Sequence, residues 1–317
     1  MTVTPQHVVA PASVALVPVL RRAAVRAARA PSVHNTQPWR FVVRADHLEL
    51  HIDRARQVPA YDPLGRQLLM SCGCALFNMR VALAHAGFGS DVVLLPAPGR
   101  PQILATVAPV EAGAPLGDLG ALDAVIETRR TNRGDFTSGL DATTRHGLVR
   151  AAALEDALLV PVGDGGRATF CELTLLAHRM HNADPAYRAE LRAWTVSEPD
   201  RVDGVPGGRT AFTQLAGADQ RPAEGPADLL VLCSEADDLP AWVRAGEALE
   251  RVLLEAAALG LATRPMTPVI EIPDLRSRLR TELGLPLHPQ LVLQVGHAPR
   301  GVMTRRRRLV DVITQGS

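Results

Sequence analysis

Pro31-Ser32-Val33-His34-Asn35-Thr36-Gln37-Pro38-Trp39 (PSVHNTQPW) joins a helix-like run over residues 14–30 to an alternating strand pair over residues 40–53, FVVRADHLELHID. Prolines at both ends and a central Asn make it a tight connection, and Ser32, His34, Asn35, Thr36 and Gln37 crowd donors and acceptors onto it. Such a loop can hold a flat polar heterocycle. On spacing alone, a capped helix-to-strand turn that sends Trp39 into the core is the better description.

Downstream, the turn signal Tyr61-Asp62-Pro63-Leu64-Gly65 predicts the start of a long helix through RQLLMSCGCALFNMRVALAHAG, followed by the short strands DVVLLPAP and QILATVAPV. The Gly/Pro/Ala-rich stretch EAGAPLGDLG then divides the chain into halves at 1–115 and 116–317. The second half opens with a helix ending in ETRRTNRGDF. It continues as helix (142–154), strand (ALLVPVGD), helix (167–181), strand (DLLVLCSE), helix (242–259) and strand (PQLVLQVGH). AVRAARAPS precedes the first strand of one half and LVRAAALED that of the other, a trace of diverged duplication. Residues 182–226 show weak periodicity and read either as a lid over a site or as a solvated insertion.

Composition narrows the function. At 317 residues and 47% hydrophobic, the chain can bury one large core or two modest ones. A net charge of +1 and 3% aromatic residues offer neither a phosphate-tracking surface nor a base-stacking platform, so nucleic acid is excluded as a partner. Cys72, Cys74, Cys171 and Cys233 form no disulfide or zinc spacing, which fits the cytoplasm. In the first twenty residues no Lys or Arg precedes the apolar stretch, and Pro5, Pro11 and Pro18 interrupt it, which argues against a secretory signal. No uncharged run is long enough to expect a membrane span. Residues two apart on a helix face apart, so Cys72 and Cys74 read as core; His178 and His181 share a face but have no third ligand nearby, so no metal is expected. GFGSD and GVPGGRT lack the glycines of a dinucleotide fingerprint and the Gly-Lys of a phosphate loop.

PSVHNTQPW resembles the PSxxNxQPW signature of the FMN-dependent nitroreductases. That resemblance implies flavin contacts from Pro31, Ser32, Val33, His34, Asn35 and Gln37. TRRTNRGDF is similar to the family's RRSxR motif and implies that Arg129, Arg130, Thr131, Asn132 and Arg133 hold the phosphate and ribityl chain; forked guanidinium groups beside a hydroxyl suit a phosphate monoester. Without the resemblance, these arginines would read as a solvated helix cap. GLATRPMTP resembles the segment beside flavin N5, implicating Pro265, Met266 and Thr267, although the residues alone suggest a plain helix-to-loop exit. RRRRLVDV resembles the basic segment that reaches the phosphate, with Arg306 in register; as a bare charge run it would be a solvated patch. The chain departs from the family in having Thr131 for Ser, an extra residue before Phe136, and Arg308 where Pro is common.

The two signatures stand in inverted order and in different halves, as in the Acg-like actinobacterial branch, which DPLGRQLLMSCG, AWVRAGEALERVLLEAAALGLAT and LVLQVGHAP also resemble. The resemblance therefore implies an α+β nitroreductase fold in which two fused nitroreductase-like halves form an intramolecular pseudo-dimer with one complete FMN site. It implies NAD(P)H as donor, a small aromatic or quinone-like acceptor, hydride passage through flavin N5 with no catalytic side chain, and a monomeric pseudo-dimer or a homodimer. A flavin-binding or flavin-sequestering protein with a closed lid and little reductase activity is the rival reading.

Overall fold

The computed structural model describes residues 16–113, 116–196, 200–206, 225–299, 301 and 303–316. Residues 1–15, on which most of the reading of the N-terminal stretch rests, lie outside these, as do 197–199 and 207–224 of the expected lid, the latter including most of GVPGGRT.

In α1 (Leu16–Ala27), Leu20, Ala23, Ala24 and Ala27 are buried at helical i, i+3, i+4, i+7 spacing. A 3-10 turn at Val33–Asn35 leads into β1 (Trp39–Val43) and β2 (Leu48–Ile52), and another at Arg54–Arg56 precedes α2 (Arg66–His85), β3 (Phe88–Leu94) and β4 (Ile103–Glu111). The chain continues through α3 (Gly117–Ala121), α4 (Ala142–Ala153), β5 (Leu158–Pro161), α5 (Asp164–Ala183), α6 (Pro185–Trp194) and the paired β6 (Thr195–Val196) and β7 (Val205–Pro206). It ends with β8 (Asp228–Ser234), α7 (Leu239–Ala258), β9 (Ala262–Met266), α8 (Pro268–Glu271), α9 (Pro273–Glu282), β10 (His288–Gly296), α10 (Leu309–Val312) and β11 (Ile313–Gln315). Aspartates fix three helix starts: the side chains of Asp141, Asp184 and Asp238 accept from Thr144, Ala186 and Ala241 backbone N–H groups.

Two sheets share one plan. The first runs β1-β2-β4-β3 and the second β5-β8-β10-β9, with every one of these pairings antiparallel. Each sheet has a helix ahead of its first strand and a long helix between its second and third. One apolar core runs through the inner faces of both sheets and α1, α2, α4 and α7. On the far side of the second sheet, α5, α8 and α9 pack Phe170, Leu173, Ile270, Leu275 and Leu279, so β8 is covered on both faces and its sequence is a continuous apolar run. The first sheet carries an Arg44–Glu49–His51 group on its outer face, hence the alternation of FVVRADHLELHID.

The chain's C-terminal strand returns to the other half. β11 pairs in parallel with β1, Phe41 opposite Ile313, so the first sheet has five strands, with order β11-β1-β2-β4-β3.

Three sequence expectations change. ATRPM, read as a plain exit, is the strand β9; it lies at the sheet edge, where Pro265 removes no needed ladder donor. ETRRTNRGDF does not end a long helix: α3 and a 3-10 turn at Leu122–Val125 stop before it, so the arginines lie on extended chain. The polar stretch after residue 182 contains α6.

The central contact is between α2 and α7, the most extensive helix pairing in the fold. Gly73 lies against the Val243 carbonyl and Gly246 against the Met70 carbonyl, so each glycine meets the residue three positions before the other. A Cβ at either site would run into backbone that cannot yield. Replacing either glycine with Ala should cost about 1–3 kcal/mol in urea unfolding followed by circular dichroism. The same change at Gly147 in α4, where nothing lies within 4 Å, should be neutral or stabilise by up to about 1 kcal/mol.

Candidate functional site

The PSVHNTQPW loop is a strained connection with its own scaffold. His34 (φ 44°), Asn35 (φ 53°) and Gln37 (φ 52°) all lie in the left-handed region, which costs a side-chain-bearing residue roughly 1–2 kcal/mol each. Ser32 Oγ accepts from the Gln37 N–H at 2.9 Å, and the Val33 N–H donates to Ser71 Oγ at 3.0 Å. Ser71 in turn donates to the Gln67 carbonyl on α2 at 2.7 Å, and Arg56 donates to the Thr36 carbonyl. The strain is thus fixed by bonds to α2 and to the segment before it.

The second half brings the other motif to this loop through β9. Thr131 bridges Thr263, and the Asn132 N–H donates to the Thr263 carbonyl at 2.8 Å. The Asn132 side chain closes a turn with Gly134, and Arg130 donates back to the Glu127 and Arg129 carbonyls, so both are engaged within their own segment. Arg133 lies near His34: burial foremost, then this neighbouring charge, push the imidazole down to about 4. The C-terminal segment completes the cluster. Arg306 donates to Asn35 Oδ1 at 3.1 Å and to the Arg29 carbonyl at 3.1 Å, while the Arg307 N–H donates to Gln37 Oε1 at 2.7 Å. Arg308 instead pairs with Asp311 in solvent, and Arg305 faces Asp200.

Between these segments lie cations with unmet hydrogen-bonding capacity. Among the described residues, Arg29 Nε, Arg129 Nε and Nη1, and Arg306 Nε are buried without a hydrogen-bond partner. Burial, and after it the neighbouring Arg129, push Arg306 down to about 9. Arg29 and Arg129 reach only a distant carboxylate each, Glu127 and Glu250 at 3.8 Å, so these donors keep hydrogen-bonding capacity that a phosphate monoester could fill.

A second cluster adjoins Thr267, whose Oγ1 lies 2.6 Å from the Tyr61 hydroxyl. Tyr61 meets the His34 ring edge to face at 4.2 Å and stacks on Tyr187 at 5.5 Å; Tyr187 stacks on His181 at 4.1 Å. Glu271 lies beneath, 3.4 Å from His181 Nε2, and burial pushes its carboxyl up to about 7. Burial also pushes both tyrosines above the ordinary phenol range and lowers His181 to about 4. Of the other residues in this segment, Pro265 lies in β9 opposite Leu293, and the Met266 side chain packs into the outer core. Sequence reasoning missed Tyr61, Tyr187, Glu271, Arg29 and Glu250. One signal was available: the chain has two tyrosines, and they stack on each other here.

Part of the segment expected as a lid docks onto this site. The Val202 and Gly204 carbonyls accept from Gln37 and Asn35 at 2.9 and 3.2 Å, and Asp203 binds both Arg56 and Arg201. Trp194 lies under the Arg56 and Arg201 guanidinium groups, and Glu190 accepts from the Tyr61 N–H at 2.8 Å.

A protein of Mycobacterium tuberculosis (strain ATCC 25618 / H37Rv) named "Putative NAD(P)H nitroreductase" is 36% identical to this chain over 309 residues, spanning 90% of this chain and 88% of its own length. The chain belongs to the nitroreductase family. Within it, the similarity extends to "Putative NAD(P)H nitroreductase acg" of the same organism, 32% identical over 298 residues and 89% of each chain. Among solved structures, the nitroreductase with bound FMN from Bacteroides fragilis is 16% identical, with a TM-score of 0.40 over 59% of this chain and 93% of that one. The FMN-dependent nitroreductase NfnB from Mycobacterium smegmatis in complex with NADPH is 18% identical, with a TM-score of 0.41 over 63% of this chain and all of that one (100%). No family model matches the chain.

The buried His34 yields a test. Its pKa in the fold lies below the ordinary value of 6.5, so the stability it contributes is complete above about pH 6.5 and is lost as pH falls toward 4. Asn tolerates the same left-handed backbone. The difference in unfolding free energy between the wild type and His34→Asn should therefore shrink on acidification by at most about 1.4 kcal/mol per pH unit in that window.

Proposed function

We propose that the chain is an FMN-binding NAD(P)H oxidoreductase of the nitroreductase type, its single cofactor site assembled from both halves of an intramolecular pseudo-dimer. The observation that carries this reading is the set of buried guanidinium nitrogens of Arg29, Arg129 and Arg306 that have no hydrogen-bond partner near the PSVHNTQPW loop, Arg29 and Arg129 each reaching only a carboxylate 3.8 Å away. The repeated strand order and the reciprocal Gly73/Gly246 contact support halves at 1–115 and 116–317 related like two subunits, with β11 exchanged between them.

Bound FMN would supply hydride transfer between a nicotinamide and an acceptor of the nitroaromatic or quinone class. The protein's share is positioning and charge. Arg129, Arg306 and Arg29 would hold the FMN phosphate, and Thr131 and Arg133 would contribute to holding the ribityl chain. Pro31, Ser32, Val33, His34, Asn35 and Gln37 would hold the flavin ring, with Pro265, Met266 and Thr267 of the β9 segment contributing to the same site. Tyr61 orients the Thr267 hydroxyl, and the neutral His34 keeps a positive imidazolium away from the ring. The absence of disulfide spacing among Cys72, Cys74, Cys171 and Cys233 fits a reducing cytoplasm.

The rival reading, a flavin-sequestering protein, gains weight from the docked segment: Val202, Asp203 and Gly204 occupy polar groups of Asn35, Gln37 and Arg56 that an open site would leave for ligands. Either activity is compatible with a monomer or a homodimer.

The two readings separate in solution. Protein reconstituted with FMN and desalted should retain about one flavin per chain, and so should Arg278→Ala, whose exposed guanidinium only pairs with Glu282. Arg129→Ala and Arg133→Ala should each weaken binding about tenfold or more, since a charge-assisted contact is worth roughly 1.5–3 kcal/mol. Equal retention by all three variants would refute the composite site. Anaerobic NADPH or NADH should bleach the bound flavin of a reductase. Under sequestration the wild type stays yellow until dithionite is added, whereas Arg56→Ala, which loosens Asp203 and Trp194, bleaches with the nicotinamide.

A further inference from the structure

Glu250 lies in the middle of α7 with no exposed surface, and neither carboxylate oxygen has a hydrogen-bond partner among the described residues. Its nearest cation is Arg129, with Nε 3.8 Å from Oε1. The groups that face it come from three elements: Arg129 from the segment after the Leu122–Val125 turn, Arg306 from the C-terminal segment, and Cys74 and Asn78 from α2. The buried Asn78 side chain lies close enough to favour the charged carboxylate, without the geometry of a formed hydrogen bond. Glu250 and Arg129 thus form a long ion pair without a hydrogen bond, and the Arg306 charge, itself bonded to Asn35 and the Arg29 carbonyl, lies close enough to favour the carboxylate.

The arrangement has a consequence for anion binding. A phosphate dianion on Arg129 and Arg306 would sit close to a buried carboxylate in a medium that screens poorly, and the two negative charges would repel strongly. Protonation of the carboxyl removes that repulsion and leaves both arginines to the phosphate. Resting on the cofactor reading above, we propose that Glu250 takes up a proton when the FMN phosphate binds, so that cofactor binding by this chain is proton-coupled. In the free protein the carboxylate acts as the resident counter-anion of Arg129.

The sign follows from the free protein. Burial pushes the Glu250 carboxyl up to about 7, against the pull of Arg129, and an adjacent phosphate raises it further. Below about pH 7 the proton is already present and Glu250 adds no pH dependence. Above it, each binding event must bring one in, so affinity falls by up to about tenfold per pH unit. Of the other groups, the second ionisation of a phosphate monoester lies near 6 and burial holds the Cys74 thiol well above the usual range, whereas Arg306, at about 9, and Glu271 of the adjoining cluster, at about 7, are present unchanged in Glu250→Gln, so the difference between the two proteins isolates Glu250.

The test is FMN binding to the full-length apoprotein, followed by flavin fluorescence between about pH 7 and pH 8.5, together with binding heats at about pH 7.5 in two phosphate-free buffers of different ionisation enthalpy. Wild type should weaken about tenfold or more across that range and take up roughly half to one proton more than Glu250→Gln, whose affinity should fall less steeply by a similar factor. Binding without proton uptake, or an unchanged pH slope in Glu250→Gln, overturns the proposal and leaves the cofactor reading intact. Should that variant not fold, the proton count of Glu271→Gln decides: uptake retained there supports Glu250, and uptake lost there overturns the proposal. Failure to bind FMN at any pH defeats the cofactor reading and the proposal together.

Discussion

The close passage of α2 over α7 at Gly73 and Gly246 is the constraint on which the rest of this molecule depends. Backbone lies directly on backbone there, so the distance between the two sheets is set by the absence of two side chains rather than by adaptable packing. The same spacing puts Ser71 and Gln67 of α2 under the PSVHNTQPW loop and Glu250 of α7 beside Arg129. A small increase in that spacing would separate the loop of one half from the arginines of the other.

Around this axis the protein concentrates ionisable groups that a core would normally exclude. Glu250 and Glu271 are both pushed up to about 7, and His34 and His181 down to about 4, and in each case burial is the largest cause. Burial alone would favour replacing such groups with apolar side chains, since a buried ion pair adds little net stability. Their grouping in two adjoining clusters, one basic and one aromatic and acidic, is the pattern expected of a binding site rather than of a stability device.

The chain's own later segments cover what the halves create. The C-terminal segment crosses from the second half to bond Asn35, Gln37 and Trp39 before joining the first sheet, and the stretch from α6 to β7 reaches the same loop from the other side. One loop therefore anchors three parts of the protein, which is how its three left-handed residues are held in place.

The sequence by itself determined the local pieces. Alternation in FVVRADHLELHID and the apolar run DLLVLCS marked strands, and the turn at Tyr61–Gly65 fixed the start of α2. The resemblance to the nitroreductase signatures singled out both the loop and the arginines, each a short contiguous run, whereas their residue types alone would read as a capped turn and a solvated helix cap. The edge strand β9, hidden by Pro265, and the extended path of Arg129–Arg133 were not legible, since both are imposed by pairing with distant chain. Nor were Tyr61, Tyr187, Glu271 and Glu250: each is unremarkable in its own neighbourhood and becomes unusual only when residues far apart in sequence enclose it. Burial and proximity shift a pKa or strand a guanidinium, and only the tertiary structure decides which side chains are enclosed together.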